Sequence, residues 1–289
     1  WWCGGGIGVL AVVAAVVLFG VLTRPGGGGV LSNPQSRALI VFTSEGGDLF
    51  GFVPDSNEAP QNISRRLDEF APGEDSGINI SPNGEWVVLT TTRGDSDCAG
   101  WACLVVIERD FDPETAEVVY LEDDEVVHPE GRAVINSDGD QIIYVAEGEN
   151  DSDLWLIERE EDDEWGEPLL LTASSPFDWN FEPSIDFEGE WVVFTCSDEQ
   201  YAEEEGHICE IDVEEQRFGV IVYPDDEDGV YDDDENTARN PDYLPGGDVV
   251  FTATWERTWV WMITVEGDLR PYGSNGQLED DFVACALPN

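Results

Sequence analysis

Four stretches of this 289-residue chain share one grammar: INISPNGEWVVLTTT from Ile78, AVINSDGDQIIYVAE from Ala133, PSIDFEGEWVVFTCS from Pro183 and PDYLPGGDVVFTATW from Pro241. Each reads as a short strand, a tight turn containing glycine, and a second strand rich in β-branched and aromatic residues. The turn glycines Gly84, Gly139, Gly189 and Gly247 are 55, 50 and 58 residues apart. That period is too long for one coil of a solenoid and suits a four-stranded propeller blade with extended connections. Each copy continues into a third strand, CLVVIERD from Cys103, DLWLIERE from Asp153, HICEIDVE from His207 or TWVWMITV from Thr258. A plainer fourth strand follows, as in AEVVYLE, EPLLLTA and FGVIVYP.

The order of strand, Asp-Gly or proline turn, "WVVFT", "LWLIE" and "LLLT" resembles the blades of TolB-type propellers, distant relatives of WD-repeat proteins. The resemblance covers residues 38 to 289. The segment ALIVFTSE after Arg37 begins at the second strand of a blade, whereas DFVACALPN at the other end reads as a first strand. Joined, they would make one blade from both termini and remove the open sheet edges. The expected architecture is therefore all-β: a five-bladed propeller over 37–289, closed by pairing the N- and C-terminal strands. One hydrophobic helix over 1–24 and a Gly/Pro hinge over 25–36 are expected to precede it.

The helix rests on Gly4–Leu22, which is 19 residues without a charge or a proline. At ~1.5 Å per residue it would reach roughly 28 Å, enough to cross a bilayer. Trp1 and Trp2 would anchor one end at the interface, and Arg24-Pro25 would stop the other. Gly4, Gly8, Ala11 and Ala15 place small residues four apart, a spacing that favours close helix packing. The chain starts without Met and has no basic residue ahead of the apolar run. This reads as a precursor cut just upstream of a retained helix, and it resembles type IV pilin-like proteins, whose helix anchors the subunit and then packs as a filament core. Position 5 departs from the bacterial pilin pattern, being Gly5 rather than glutamate. A single-pass membrane anchor is the competing reading of the same residues. The PGGGG run from Pro25 would act as a swivel.

Charge narrows the partners. Against 64 acidic residues stand 12 basic ones, all arginine, for a net charge of −52. A surface this negative repels phosphate backbones and anionic headgroups, which excludes nucleic acid and electrostatic docking to membranes. A hydrophobic fraction of 41% with 11 Trp and 13 Phe nevertheless supports a packed core. The acids Asp225, Asp226, Asp228, Asp232 and Asp234 form an oxygen-rich loop that could hold calcium, but its glycine and final glutamate are misplaced for an EF-hand and a solvated acidic loop is the favoured reading. The run Asn136 to Asp140 looks like a calcium loop locally but is better read as the blade turn.

Of six cysteines, Cys98 with Cys103 and Cys196 with Cys209 sit as hairpin staples, which suggests an oxidising compartment. Cys285 reads as a buried thiol, and Cys3 has no evident partner. With only His128 and His207 there is no zinc grouping, and nucleophile-elbow, P-loop, dinucleotide and haem-attachment patterns are missing. Trp86, Trp155, Trp191, Trp259 and Trp261 fall at blade positions. Trp101, Trp165 and Trp255 near loops could contact a sugar or a neighbouring subunit, but a place in the blade core is the favoured reading.

The expectation is a non-enzymatic, extracytoplasmic structural or interaction protein at the cell surface or in an extracellular filament. Its partners would be copies of itself through the N-terminal helix, or a membrane protein complex, with residues 4–22 in the membrane at least before assembly. A membrane-tethered TolB-like module binding protein or glycan is the alternative, and a carboxylate-based enzyme the third reading.

Overall fold

A computed structural model describes residues 40–272 except 45–47, 53–58, 69–72, 94–97, 99–101, 122–125, 149, 161–163, 199–205, 223–236, 245, 256 and 266. Strands β1 (Ile40–Thr43), β2 (Leu49–Phe52) and β3 (Gln61–Asn62) form a three-stranded sheet. Four four-stranded antiparallel meanders follow. Blade I is β4 (Asp75–Ile80), β5 (Trp86–Thr91), β6 (Cys103–Glu108) and β7 (Glu117–Val118). Blade II is β8 (Ala133–Ile135), β9 (Gln141–Ala146), β10 (Asp153–Glu158) and β11 (Leu169–Leu170). Blade III is β12 (Trp179–Ile185), β13 (Trp191–Ser197), β14 (His207–Asp212) and β15 (Phe218–Val222). Blade IV is β16 (Thr237–Tyr243), β17 (Val249–Trp255), β18 (Arg257–Ile263) and β19 (Leu269–Pro271).

Among the described residues the propeller thus has four complete blades rather than the expected five. Among the described residues the sheet β1–β3 is three-stranded, and the DFVACALPN segment expected to complete it lies outside them. The expected hydrophobic helix, with Gly4, Gly8, Ala11 and Ala15, lies outside them too. Among the described residues the α-helix is the single turn α1 (Ser64–Leu67), and no helix is long and apolar enough to cross a membrane.

Apolar alternation explains how the blades stack. On β5, Val87 and Leu89 point into the seam with β1–β3, whereas Val88 points into the seam with blade II, and all three are buried. A strand buried on both faces reads as a continuous apolar run, as WVVLTT does. Ile143, Leu154 and Leu156 of blade II meet Val192, Phe194 and Ile211 of blade III in the next seam. Ile208 and Val222 meet Ala238 and Phe251 in the last.

Buried polar pins fix the seams in register. Ser64 Oγ accepts from the Leu49 amide at 2.7 Å and donates to Asp75 at 2.6 Å, joining the first sheet to blade I. Thr172 Oγ1 likewise accepts from the Leu154 amide at 3.0 Å and donates to Asp153 at 2.6 Å. Asn180 at the start of blade III donates to the same Asp153 at 3.3 Å. Asp75 also takes the Arg93 guanidinium, with Nε at 2.8 Å, and both side chains are at most 2% exposed. The structure joins Cys98 to Cys103 within blade I and Cys196 to Cys209 within blade III. All four of these cysteines are buried.

Candidate binding face

The tight turns between first and second strands gather at one end of the propeller. In blades I to III the turn is closed by a side chain acting on its own backbone, whereas in blade IV Leu244 and Asp248 close it through backbone bonds. Asp186 Oδ1 accepts from the amides of Glu190 at 2.8 Å and Trp191 at 3.1 Å, with Gly189 at φ +79°. Asn136 Oδ1 accepts from the amides of Gly139, Asp140 and Gln141 at 3.0 to 3.2 Å, so this stretch spends its oxygen on the turn.

Two hollows open at this end. The axial one is lined by Asn79 and Ile80 of blade I, Ser184, Ile185 and Phe187 of blade III, and Asp242 and Tyr243 of blade IV. Its volume is about 30 Å³, room for a water or two. Ser184 Oγ donates to Asp242 Oδ1 at 2.6 Å and accepts from the Tyr243 amide at 3.2 Å. The Arg132 guanidinium stands 3.7 Å from the same Asp242 oxygen. Tyr243 donates its hydroxyl to Glu210 at 2.9 Å. Burial raises the Glu210 carboxyl above the ordinary carboxylate range and Asp186 adds to the rise, while the Tyr243 bond opposes it. The Tyr243 hydroxyl is pushed upward by burial first and by Glu210 second.

The second hollow is a groove of about 610 Å³ between blades II and III. Leu156, Glu158 and Leu169 form one wall, and the turns Glu188–Trp191 and Asp212–Glu215 form the other. Six of its twelve lining residues are carboxylates, against 64 of 289 in the chain, so the groove is acidic beyond the average of an already acidic molecule. Its floor is apolar: Leu156 and Val213 are buried, and Leu169 is 43% exposed. At one end Arg217 lies over the Trp191 ring, with its guanidinium carbon 5.7 Å from the centroid. The same guanidinium reaches Asp212 at 3.3 Å and Glu215 at 3.0 Å.

The residues singled out by sequence are distributed differently. Asp225, Asp226, Asp228, Asp232 and Asp234, proposed for calcium, lie outside the described residues, as does Trp101. Among the described residues no group of three or more His, Cys, Asp or Glu side chains is placed to hold a metal. Trp165 is interior, 4% exposed; its Nε1 donates to Glu117 at 2.9 Å and Arg159 stacks on it at 4.4 Å. It belongs to the seam between blades I and II and offers no surface contact. Sequence reasoning missed the groove because no local pattern reports which loop faces which across a blade seam. The nearest signal was the acidic DVEE turn after β14.

No family model matches the chain, and no curated protein matches it in sequence. Solved structures do. TolB from Acinetobacter baumannii superposes with a TM-score of 0.51 at 12% identity, covering 80% of this chain and 50% of that one. A chain of a nidogen/laminin complex gives 0.51 at 11%, covering 80% and 73%. A puromycin-hydrolyzing peptidase of Mycobacterium tuberculosis gives 0.52 at 11%, covering 84% and 38%. The chain therefore spans about half the length of TolB and less of the peptidase. These likenesses define the fold class: a TolB-like β-propeller. They also overturn the expectation of a non-enzyme, since a peptidase carries this same fold, and the propeller is no argument against catalysis. At such identities the likeness carries fold alone.

Proposed function

We propose that the chain is an extracytoplasmic interaction module, an acidic TolB-like propeller held at the cell surface by residues 4–22. Those residues serve as a membrane anchor or, after processing, as a pilin-like assembly core. The observation that carries the interaction reading is the large groove at the turn end, which blade II builds from strand residues and blade III from its turns while the seams beneath stay packed and pinned. Loops on a rigid scaffold are the usual place for recognition. Two buried disulfides within blades support folding in an oxidising compartment.

The test is fractionation of cells producing the full chain or a chain lacking residues 1–24. The full chain should stay with membranes through alkaline carbonate, or with filaments sheared from the surface, and the shortened chain should be released outside the cytoplasm. A full chain recovered from the cytosol would overturn the reading.

A further inference from the structure

We propose that the groove between blades II and III binds an extended cationic segment of a partner protein, an arginine or lysine flanked by apolar side chains. This rests on the interaction reading above and supplies the chemistry of the partner.

The chain's own Arg217 displays the mode of recognition. Its guanidinium sits on the Trp191 face, 5.7 Å from the ring centroid, and bridges Asp212 and Glu215. A planar cation held between an indole and carboxylates is what arginine recognition uses. Arg217 does not line the groove, touching only Trp191, Asp212 and Glu215 at its edge, and is itself 62% exposed. Farther along, Glu188, Glu190 and Glu214 are exposed carboxylates lining the groove, and no arginine among the described residues pairs with them. The chain contains no lysine that could do so. Cations from another molecule complete the charge pattern.

The rest of the lining sets the flanking residues. Leu169 exposes 43% of its surface beside the acids, so a ligand placing an apolar side chain next to each cation buries that surface while pairing its charge. A space of about 610 Å³ holds several side chains, more than a single bare ion needs. Anionic ligands meet six carboxylates and are excluded.

Because any basic peptide is drawn to a molecule of charge −52, the test separates the groove from the general field. The full chain in detergent is titrated at physiological salt with a fluorescent peptide of alternating leucine and arginine, and with its citrulline counterpart, which keeps the shape and loses the charge. Titrations are repeated on the double variant Glu188→Gln/Glu214→Gln. A control of equal charge change, Glu108→Gln/Glu114→Gln on blade I, uses two exposed acids away from the groove. The proposal expects saturable binding of the arginine peptide and at least tenfold weaker binding of the citrulline peptide. The groove variant should weaken the arginine peptide about tenfold, and the control less than twofold. Equal weakening by both variants, or no saturable binding of the arginine peptide to the parent chain, overturns it. Either result leaves the placement at the cell surface standing, because fractionation decides that part of the reading separately.

Discussion

At the scale of single residues, the turn glycines show how one motif carries two loads. Gly84 and Gly139 occupy the same blade position, at φ +75° and +78°. Around Gly84 an added methyl would meet only Arg109, at 3.8 Å, whereas at Gly139 it would overlap the Trp86 indole of the preceding blade. Alanine at Gly84 should therefore cost the left-handed penalty of ~1 kcal/mol. At Gly139 it should cost roughly 3 kcal/mol, the indole having to leave its place as well; denaturant unfolding of the two variants measures the difference. The turn role of both glycines was legible from the sequence, because tight turns between β-branched runs demand positive φ. The indole against Gly139 was not, since it depends on how one blade leans on the next. A second residue-scale prediction concerns Arg93, which is 2% exposed and paired with buried Asp75. Arg93→Ala leaves that carboxylate buried without its cation and should cost about 3 to 5 kcal/mol. Arg217→Ala, at a site 62% exposed, should change stability by less than ~1 kcal/mol.

At the scale of elements, the meander of each blade was readable because alternation with period two and recurring turns are local. The number of blades was not. Whether β1–β3 gains a fourth strand depends on a pairing across more than 200 residues, and local pattern says nothing about pairings at that distance. The disulfides were readable for the opposite reason, as each pair lies within one hairpin. Their sequence separations are 5 and 13, so loop-closure entropy predicts losses of about 2 kcal/mol for Cys98→Ser/Cys103→Ser and about 3 kcal/mol for Cys196→Ser/Cys209→Ser. Thermal unfolding of the two double variants should show that order. The contact of β14 with β16 through Glu210 and Tyr243 adds a pH dependence. Since the folded carboxyl sits above its unfolded value, the folded state holds the proton more tightly. That contribution is full below the unfolded carboxylate range and is lost as pH rises through the elevated folded value. Glu210→Gln should accordingly flatten the fall in stability that sets in as pH rises above the ordinary glutamate value of about 4.3. A variant as steep as the parent would assign the slope to other acids.

At the scale of the whole molecule, charge is the dominant fact. Residues 1–30 hold one Arg and no acid, so of the net −52 the remainder carries −53. Self-repulsion of this size opposes compaction and is screened by salt, the Debye length falling from about 10 Å at 0.1 M to 3 Å at 1 M. The melting temperature should rise steadily over that range, and any assembly through residues 4–22 should loosen at low ionic strength. Work outside the cytoplasm, proposed above for this acidic propeller, has a chemical signature in its cysteines. Cells making the full chain are quenched in acid, free thiols are alkylated, and the cysteine peptides are mapped by mass spectrometry without reduction. For a propeller that works there, Cys98 should be recovered linked to Cys103 and Cys196 linked to Cys209. Recovery of these four residues as alkylated thiols would contradict it.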